Sequence, residues 1–206
     1  MQPIRPRRCS TGVTSAKIDI MTAPDEHLVG ALVTDLDSGF VALFNALRHV
    51  VFSTALRVSG RWADAEDLTA EAFLRAYRAL SDYPPDRIRE LKPRAWLLTI
   101  VLNTWRNNVR EKSRRPADYL PDPPDPPDPA SDVERTVGDR ETGRELADLL
   151  NTLPDEQRVA VVLRHVVDLP VAEVAEILGR PTGTVKAQIS RGLRRLRELY
   201  PTEAPR

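Results

Sequence analysis

One segment near the middle of the chain, residues 116–134, limits the fold more than any other feature. Its sequence is PADYLPDPPDPPDPASDVE, which holds six acidic residues and no basic ones. Each proline fixes φ and removes a backbone donor, so neither an α-helix nor a central β-strand runs through it. In polyproline geometry, at about 3.1 Å per residue, the segment would reach roughly 60 Å. It predicts a flexible acidic linker between two modules.

The regions on both sides of this linker have helical periodicity. Apolar residues recur every three or four positions before the linker and form four shorter stripes after it, and no alternating pattern typical of strands competes. Pro84, Pro85 and Pro93 predict a loop between the second and third stripes. We therefore predict an all-α fold of two small helical domains. The predicted bounds are a largely disordered tail over 1–37, a first module over 38–115, a linker over 116–138 and a second module over 139–200.

The composition narrows the class of protein. The formal charge is zero, from 30 basic and 30 acidic residues, but the two signs are segregated along the chain. Cys9 is the single cysteine and the three histidines lack ligand spacing, so we predict no disulfide, no metal site and no cofactor. No run of about 18 apolar residues is present, which predicts a cytoplasmic protein without membrane insertion. Translation from Met1 or from Met21 stays open.

The C-terminal segment 171–198, VAEVAEILGRPTGTVKAQISRGLRRLRE, has the pattern of a helix-turn-helix. Gly179 favours a left-handed turn after one amphipathic helix, and Pro181 prevents that helix from continuing. From 180 to 197 there are six basic residues and no acidic one. A basic outer face with small and polar side chains is what a helix needs in the major groove. The alternative is a solvated basic helix on an ordinary bundle.

Two helices of the first module differ in charge. Acidic residues crowd the first turns of 64–80, beside an apolar stripe, which suits a protein partner better than DNA. In contrast, 94–115 holds six basic residues against Glu111 alone. Its amide and guanidinium side chains recur at three- and four-residue steps on one face, and such a face can bind phosphates and base edges.

These segments carry a family resemblance. DAEDLTAEAFLRAYRAL and RAWLLTIVLNTWRNNVREKSRR resemble domain two of the extracytoplasmic-function sigma factors of the sigma-70 family. LPDEQRVAVVLRHVVDLPVAEVAEILGRPTGTVKAQISRGLRRLRE resembles domain four of the same family. The resemblance covers about 38–115 and 139–199, in the family's order. It implies a sigma factor, not an enzyme, which binds RNA polymerase core and directs promoter-specific initiation. Domain two would recognise and melt the −10 element, and the helix-turn-helix would bind the −35 element.

The resemblance also implies residue roles and partners. The loop 81–89 would capture a base extruded from the opening duplex. The expected partners are polymerase core, promoter DNA and an anti-sigma factor, with the free chain a monomer. The residues expected to contact polymerase are Asp64, Asp67, Leu68, Glu71, Leu74 and Arg75. Those expected at the −10 element are Asn103, Arg106, Asn107 and Arg110, with Arg114 and Arg115 as phosphate anchors. Those expected at the −35 element are Thr184, Lys186, Gln188, Ser190, Arg191, Arg194 and Arg195.

The chain departs from the family pattern at four positions, and three other classes of protein are alternatives to a sigma factor. Ala70 stands where the family often has Gln, Leu102 and Gln188 where it often has Arg, and Pro170 where it usually has a Ser cap. The alternatives are a stand-alone dimeric repressor or activator, an enzyme, and a sigma-like interaction module without promoter function. The first would leave the acidic helix unexplained, and the second lacks a phosphate loop, a nucleophile motif and a metal cluster.

Overall fold

The computed structural model of the chain describes residues 25–114 and 146–199, and these ranges are helical without β-strands. The predicted linker 116–138 and Arg115 lie outside the described residues. The first module contains α1 (Asp25–Thr34), α2 (Leu36–Ser59), α3 (Trp62–Asp82), α4 (Pro85–Arg89) and α5 (Pro93–Arg114). The second contains α6 (146–151), α7 (Asp155–Val161) with a following π turn (Val162–Val166), α8 (Val171–Leu178) and α9 (Thr182–Leu199). The predicted all-α fold is confirmed.

The core of the first module lies between α2, α3 and α5, which pack against one another. The apolar stripes predicted from the sequence supply fully buried side chains such as Leu43, Leu80 and Leu97. The entry to α2 is fixed by Asp35, whose carboxylate accepts a hydrogen bond of 3.0 Å from the Ser38 N–H. A cap of this kind satisfies an N–H that has no partner within the helix.

The predicted N-terminal tail is wrong in its last part, because residues 25–34 form helix α1. Leu28, Val29 and Leu32 are spaced one and three residues apart, so they share one helix face, and all three are buried. This face packs on α2 and α4. The stripe is only three residues long and is too short for periodicity to identify in the sequence. The first module therefore includes α1.

The predicted loop between the second and third stripes contains the short helix α4. Pro85 occupies its first turn, where a missing N–H costs nothing, and Ile88 is 5 % exposed. Burial of Ile88 beneath α1 holds this single turn in place, because a five-residue helix has no stability of its own. The loop 81–89 is thus a folded element braced by α1.

The two modules contact each other. α5 packs against α8, and α2 packs against α7 and the π turn. The buried side chains of both modules form one continuous apolar cluster, which includes Leu98 and Leu163. The described parts of the chain are therefore docked together in this structure.

Helix α2 is the one described helix that is long and apolar enough to cross a membrane by length and composition. Its buried residues face α1, α3 and α5, as expected for the central helix of a bundle. The apolar composition of α2 is explained by its packing inside the bundle, so this helix alone does not indicate a membrane span.

Candidate polymerase and nucleic-acid interfaces

An open groove of about 500 Å³ lies between α3 and α5. The groove brings together carboxylates and an exposed leucine. Leu74 is 44 % exposed, and Glu71 Oε1 forms an ion pair with Arg75 Nε at 2.6 Å. The residues lining this α3/α5 groove are Asp67, Ala70, Glu71, Leu74, Arg75 and Asn108. Four of the six residues expected to contact polymerase are among them. Asn108 was not expected, because spacing along α5 alone does not show that its side chain faces α3.

The other two expected polymerase contacts lie elsewhere. Asp64 pairs with Lys112 Nζ of α5 at 3.0 Å, away from the lining of the groove. Leu68 is 2 % exposed and belongs to the core. The expectation for Leu68 is therefore corrected: its side chain fills the space between helices and is not part of the exposed surface.

The outer face of α5 is cationic, as expected. Asn103, Asn107, Arg110 and Arg114 are exposed, and Arg106 is half-buried, with its Nη1 3.4 Å from Asn103 Oδ1. Burial lowers the pKa of Arg106, and the charges of Arg180 and Arg110 lower it further, while Glu156 opposes them. The guanidinium stays charged, because its ordinary pKa lies far above neutrality. This basic α5 face presents charged and amide groups, which are groups that can bind phosphates and base edges.

The inner side of α5 explains one departure from the family pattern. Leu102 has no exposed surface and Trp105 is 5 % exposed, so both belong to the core. An arginine at position 102 would place a charge in an apolar core, which is costly without a partner. Position 102 is therefore a packing position in this chain, and the cations of α5 lie on its other faces.

Aromatic rings lie beside the loop 81–89. The rings of Tyr83 and Trp96 are 6.2 Å apart between centroids, and the guanidinium carbon of Arg87 lies 3.7 Å from the Tyr83 ring centroid. An exposed cation over a ring gains about 0.5–1 kcal/mol. Both aromatic side chains are half-buried, so each keeps an accessible edge. Rings and a cation together can stack a base and hold its phosphate.

The helix-turn-helix has the geometry expected from the sequence. Gly179 has φ of 59°, the left-handed conformation that ends α8, and the Arg180 N–H donates to the Ala175 carbonyl at 3.1 Å. Helix α9 starts one residue after Pro181 and packs on α7 and α8. On its outer face Thr184, Lys186, Ser190, Arg191, Arg194 and Arg195 are exposed. Six of the seven side chains expected at the −35 element are thus accessible.

Gln188 is the exception, and the expectation for it is corrected. It is 5 % exposed, and its Nε2 donates to Glu156 Oε2 of α7 at 2.8 Å. The other oxygen of Glu156 lies 3.3 Å from Arg180 Nη2 in the turn. Glu156 therefore ties the turn and α9 to α7. Gln188 supports the orientation of α9, and its side chain is buried against α7 instead of lying on the exposed face of α9.

Substitution at Gln188 is expected to change stability and leave DNA binding nearly intact. Gln188→Ala removes one hydrogen bond and should lower the free energy of unfolding by about 1 kcal/mol. Urea unfolding measures this effect. Lys186→Ala is the matched control on the same helix: it should keep the stability and lose affinity for −35 DNA. Equal losses of affinity in Gln188→Ala and Lys186→Ala would contradict the assignment.

Comparison with known families matches both modules. The family model described as Sigma-70 region 2 matches residues 43–115, and the one described as Sigma-70, region 4 matches residues 143–196. The first match contains the α3/α5 groove and the basic α5 face, and the second contains the helix-turn-helix.

Similar proteins of known class belong to the same family as the two matching models. The chain is 36 % identical over 149 residues to the ECF RNA polymerase sigma factor SigE of Mycolicibacterium smegmatis, which is 72 % of this chain and 56 % of that relative. It therefore spans little more than half the length of SigE. It is 30 % identical over 174 residues to the ECF RNA polymerase sigma-E factor of Escherichia coli, covering 78 % of this chain and 87 % of that one.

A solved structure of CnrH in complex with the cytosolic domain of CnrY is similar over 87 % of this chain and 99 % of that chain, with a TM-score of 0.63 and 25 % identity. Together these matches confirm the resemblance first stated on residues 64–80, 94–115 and 153–198. They also confirm that this is a class of transcription factors and not of enzymes. The chain belongs to the sigma-70 family of RNA polymerase sigma factors, in its extracytoplasmic-function group.

Proposed function

We propose that this chain binds RNA polymerase core and directs promoter-specific transcription initiation. The observation that carries the proposal is the separation of three chemically distinct surfaces. The α3/α5 groove is anionic and partly apolar, the basic α5 face lies on the same module, and the exposed basic face of α9 lies on the other module. One surface suits a protein, and the other two suit nucleic acid.

The α3/α5 groove is proposed as the polymerase contact. Asp67 and Glu71 supply negative charge at its edge, and exposed Leu74 supplies apolar surface. This combination fits a partner helix with basic and apolar residues, since charge complementarity steers binding and the apolar surface strengthens it. Asn108 adds an amide from α5, and Asp64 acts indirectly by tethering α5 through Lys112.

The basic α5 face and the loop 81–89 are proposed to recognise and melt the −10 element. Exposed Asn103 and Asn107 offer amides for base edges, while Arg106 and Arg110 offer charge for phosphates. Extruding a base costs a few kcal/mol, which a stacking site must repay. Tyr83 and Trp96 supply aromatic rings for such a site, and the guanidinium of Arg87 lies over the Tyr83 ring.

Helix α9 is proposed to contact the −35 element in the major groove. Its exposed residues combine hydroxyls near the N-terminal end with arginines farther along. Hydroxyl and basic side chains at the start of a recognition helix contact base edges, and the later cations bind phosphates. Thr184 and Lys186 are therefore assigned to bases, and Arg194 and Arg195 to phosphates.

Arg110→Ala tests the −10 assignment. Loss of one phosphate contact is expected to lower the promoter affinity of the polymerase complex about tenfold and to reduce the salt slope by about 1, without changing core binding. Filter binding at several salt concentrations measures both quantities. Arg78→Ala is the matched control, because Arg78 is exposed on α3 outside the basic α5 face. An unchanged salt slope in Arg110→Ala would refute the phosphate contact.

The proposal as a whole is tested by run-off transcription with purified core on genomic DNA. We expect start sites that share a bipartite upstream motif, and a gel shift that is specific only when core is present. Specific binding of a palindrome by the chain alone would favour a stand-alone repressor or activator. Binding to core without any transcript would favour an interaction module that has lost promoter function.

An anti-sigma partner, a monomeric free state and a cytoplasmic location are also proposed. Support for the partner comes from two similar structures, which are complexes: CnrH with the cytosolic domain of CnrY, and RpoE of Bartonella quintana with the anti-sigma factor NepR. The RpoE structure is 22 % identical, with a TM-score of 0.60 over 82 % of this chain and 99 % of that one. Affinity capture of the tagged chain from its native cell, followed by light scattering of the complex, tests partner and stoichiometry.

A further inference from the structure

A glycine lies in the interior of helix α9, on the side that packs against α7. Gly192 is one of four buried residues of this 18-residue helix, and the other three are Val185, Gln188 and Ile189. Glycine inside a helix is less stable than alanine, because it loses more backbone freedom on folding. Helix α9 therefore carries a cost at Gly192 that its packing must explain.

The explanation is the close approach of α9 to α7. A Cβ at Gly192 would lie 2.8 Å from Val161 Cγ2, 3.5 Å from Gln157 Cβ and 3.6 Å from the Gln157 carbonyl oxygen. Carbon atoms in contact are normally about 3.5–4.0 Å apart, so the contact with Val161 is too short. Val161 is 3 % exposed, and a valine in a helix has one strongly preferred side-chain rotamer. A side chain at Gly192 would therefore push α9 away from α7.

The two halves of α9 are held unequally. The three other buried residues anchor the first half, and the hydrogen bond of 2.8 Å from Gln188 Nε2 to Glu156 Oε2 is among their contacts. After Gly192, Leu193 and Leu196 are only half-buried, and the remaining residues of the helix are exposed. A push at Gly192 would therefore tilt the second half of α9 and leave the first half in place.

The direction of this tilt follows from helix geometry. Ser190 and Arg194 are each two residues from Gly192, which places them about 160° around the helix, on the opposite side. Both are exposed on the face proposed to contact DNA, so the second half of α9 would move toward the DNA. If α9 pivots at Gln188 and needs about 1 Å more room at Gly192, Arg195 moves by roughly 2 Å. Hydrogen-bond lengths vary by only about 0.5 Å, so this displacement is large enough to disturb contacts with DNA.

We propose that Gly192 is a positioning residue for −35 recognition: it lets α9 lie against α7 and thereby sets the angle at which α9 enters the major groove. This inference rests on the proposed function, in which Thr184 and Lys186 contact bases and Arg194 and Arg195 contact phosphates. Phosphate contacts fix the register and orientation of a protein on DNA, and base contacts supply the specificity. The two sets of contacts form together only at one angle of the helix.

Gly192→Ala tests the positioning role. The probes are a promoter fragment mapped by run-off transcription with the parent chain and the same fragment with its −35 element scrambled. Filter binding of the chain–core complex gives the ratio of the affinities for the two fragments, which is here called the −35 preference. We expect Gly192→Ala to lower the −35 preference about tenfold, the size of one lost base-specific contact. The urea midpoint should change little, because the helix preference of alanine opposes the clash with Val161.

A second substitution on α7 separates positioning from stability. Val161→Ala removes the methyl group that a Cβ at Gly192 would meet. Combined with Gly192→Ala, it should return the −35 preference to within about threefold of the parent, because the two sites are in contact and their effects are coupled. Val161→Ala alone should lower the urea midpoint, since it leaves a cavity in the core, and should leave the −35 preference unchanged.

The failures of the two proposals are distinguishable. An unchanged −35 preference in Gly192→Ala, or equal losses of affinity for both fragments, would overturn the positioning role. The same loss of −35 preference in the double variant as in Gly192→Ala would also overturn it, because removal of the clash with Val161 would then have no effect. Equal binding of the two fragments by the parent complex would instead overturn the −35 contact itself, and with it that part of the proposed function.

Discussion

Glu71→Arg is expected to abolish binding to RNA polymerase core, with a loss of affinity of about 100-fold or more. Glu71 lines the α3/α5 groove and pairs with Arg75 at 2.6 Å. A second guanidinium at this position would face Arg75 and turn an anionic edge into a cationic one. Like charges across an interface cost several kcal/mol, and 1.4 kcal/mol is already tenfold in affinity. Fluorescence anisotropy of labelled chain titrated with core measures the effect.

Glu66→Arg is the matched control for this substitution. Glu66 is exposed on the same helix but does not line the groove, so the charge change is the same and the location differs. We expect Glu66→Arg to stay within about threefold of the parent, since a charge outside the contact acts only through screened long-range forces. Equal losses in both variants would show that net charge governs binding, and the groove assignment would then be dropped.

The sequence contains enough information for features that depend on neighbouring residues. The turn between α8 and α9 is foreseeable because Gly179 and Pro181 each have one strong local preference. The charge contrast between α3 and α5 is also foreseeable, because the acidic and basic residues of each helix can be counted directly in its sequence. The helical class follows from periodicity over long segments, where the signal is strongest.

Features that depend on contacts between distant residues were missed. Gln188 lies at the edge of the α9 stripe, and only Glu156, 32 residues earlier, decides that it faces inward. Leu68 belongs to an apolar stripe next to acidic residues, so periodicity alone does not distinguish a core leucine from a partner-binding one. Helix α1 falls in the predicted tail because its three buried residues form too short a pattern for periodicity to identify. In each case tertiary packing supplied what local spacing lacks.

Gly39→Ala is expected to displace α1 from α2 and to destabilise the first module by about 2 kcal/mol. A Cβ at Gly39 would lie 2.5 Å from the Leu32 nitrogen and 2.6 Å from the Ala31 carbonyl carbon, both in the backbone of α1. Backbone cannot rotate away as a side chain can, so the helices must separate. Overpacking costs typically 1–3 kcal/mol, and a clash with immovable backbone lies at the upper end of that range. Replacing glycine by alanine inside a helix gains about 1 kcal/mol, which leaves a net cost of about 2 kcal/mol. The clash therefore prevails, and the urea midpoint should fall.

Gly30→Ala provides a control of opposite sign on α1 itself. No atom lies within 4 Å of a Cβ at Gly30, so only the helix preference remains and stability should rise by about 0.5–1 kcal/mol. Only Gly39→Ala should also impair promoter opening, because displacing α1 removes the support that α1 gives to α4 within the loop 81–89. We expect Gly39→Ala to bind core like the parent and to open promoters less well, measured by permanganate reactivity of unpaired thymines. Equal urea midpoints in the two variants would show that α1 does not dock through Gly39, and the bracing of the loop would lose its basis.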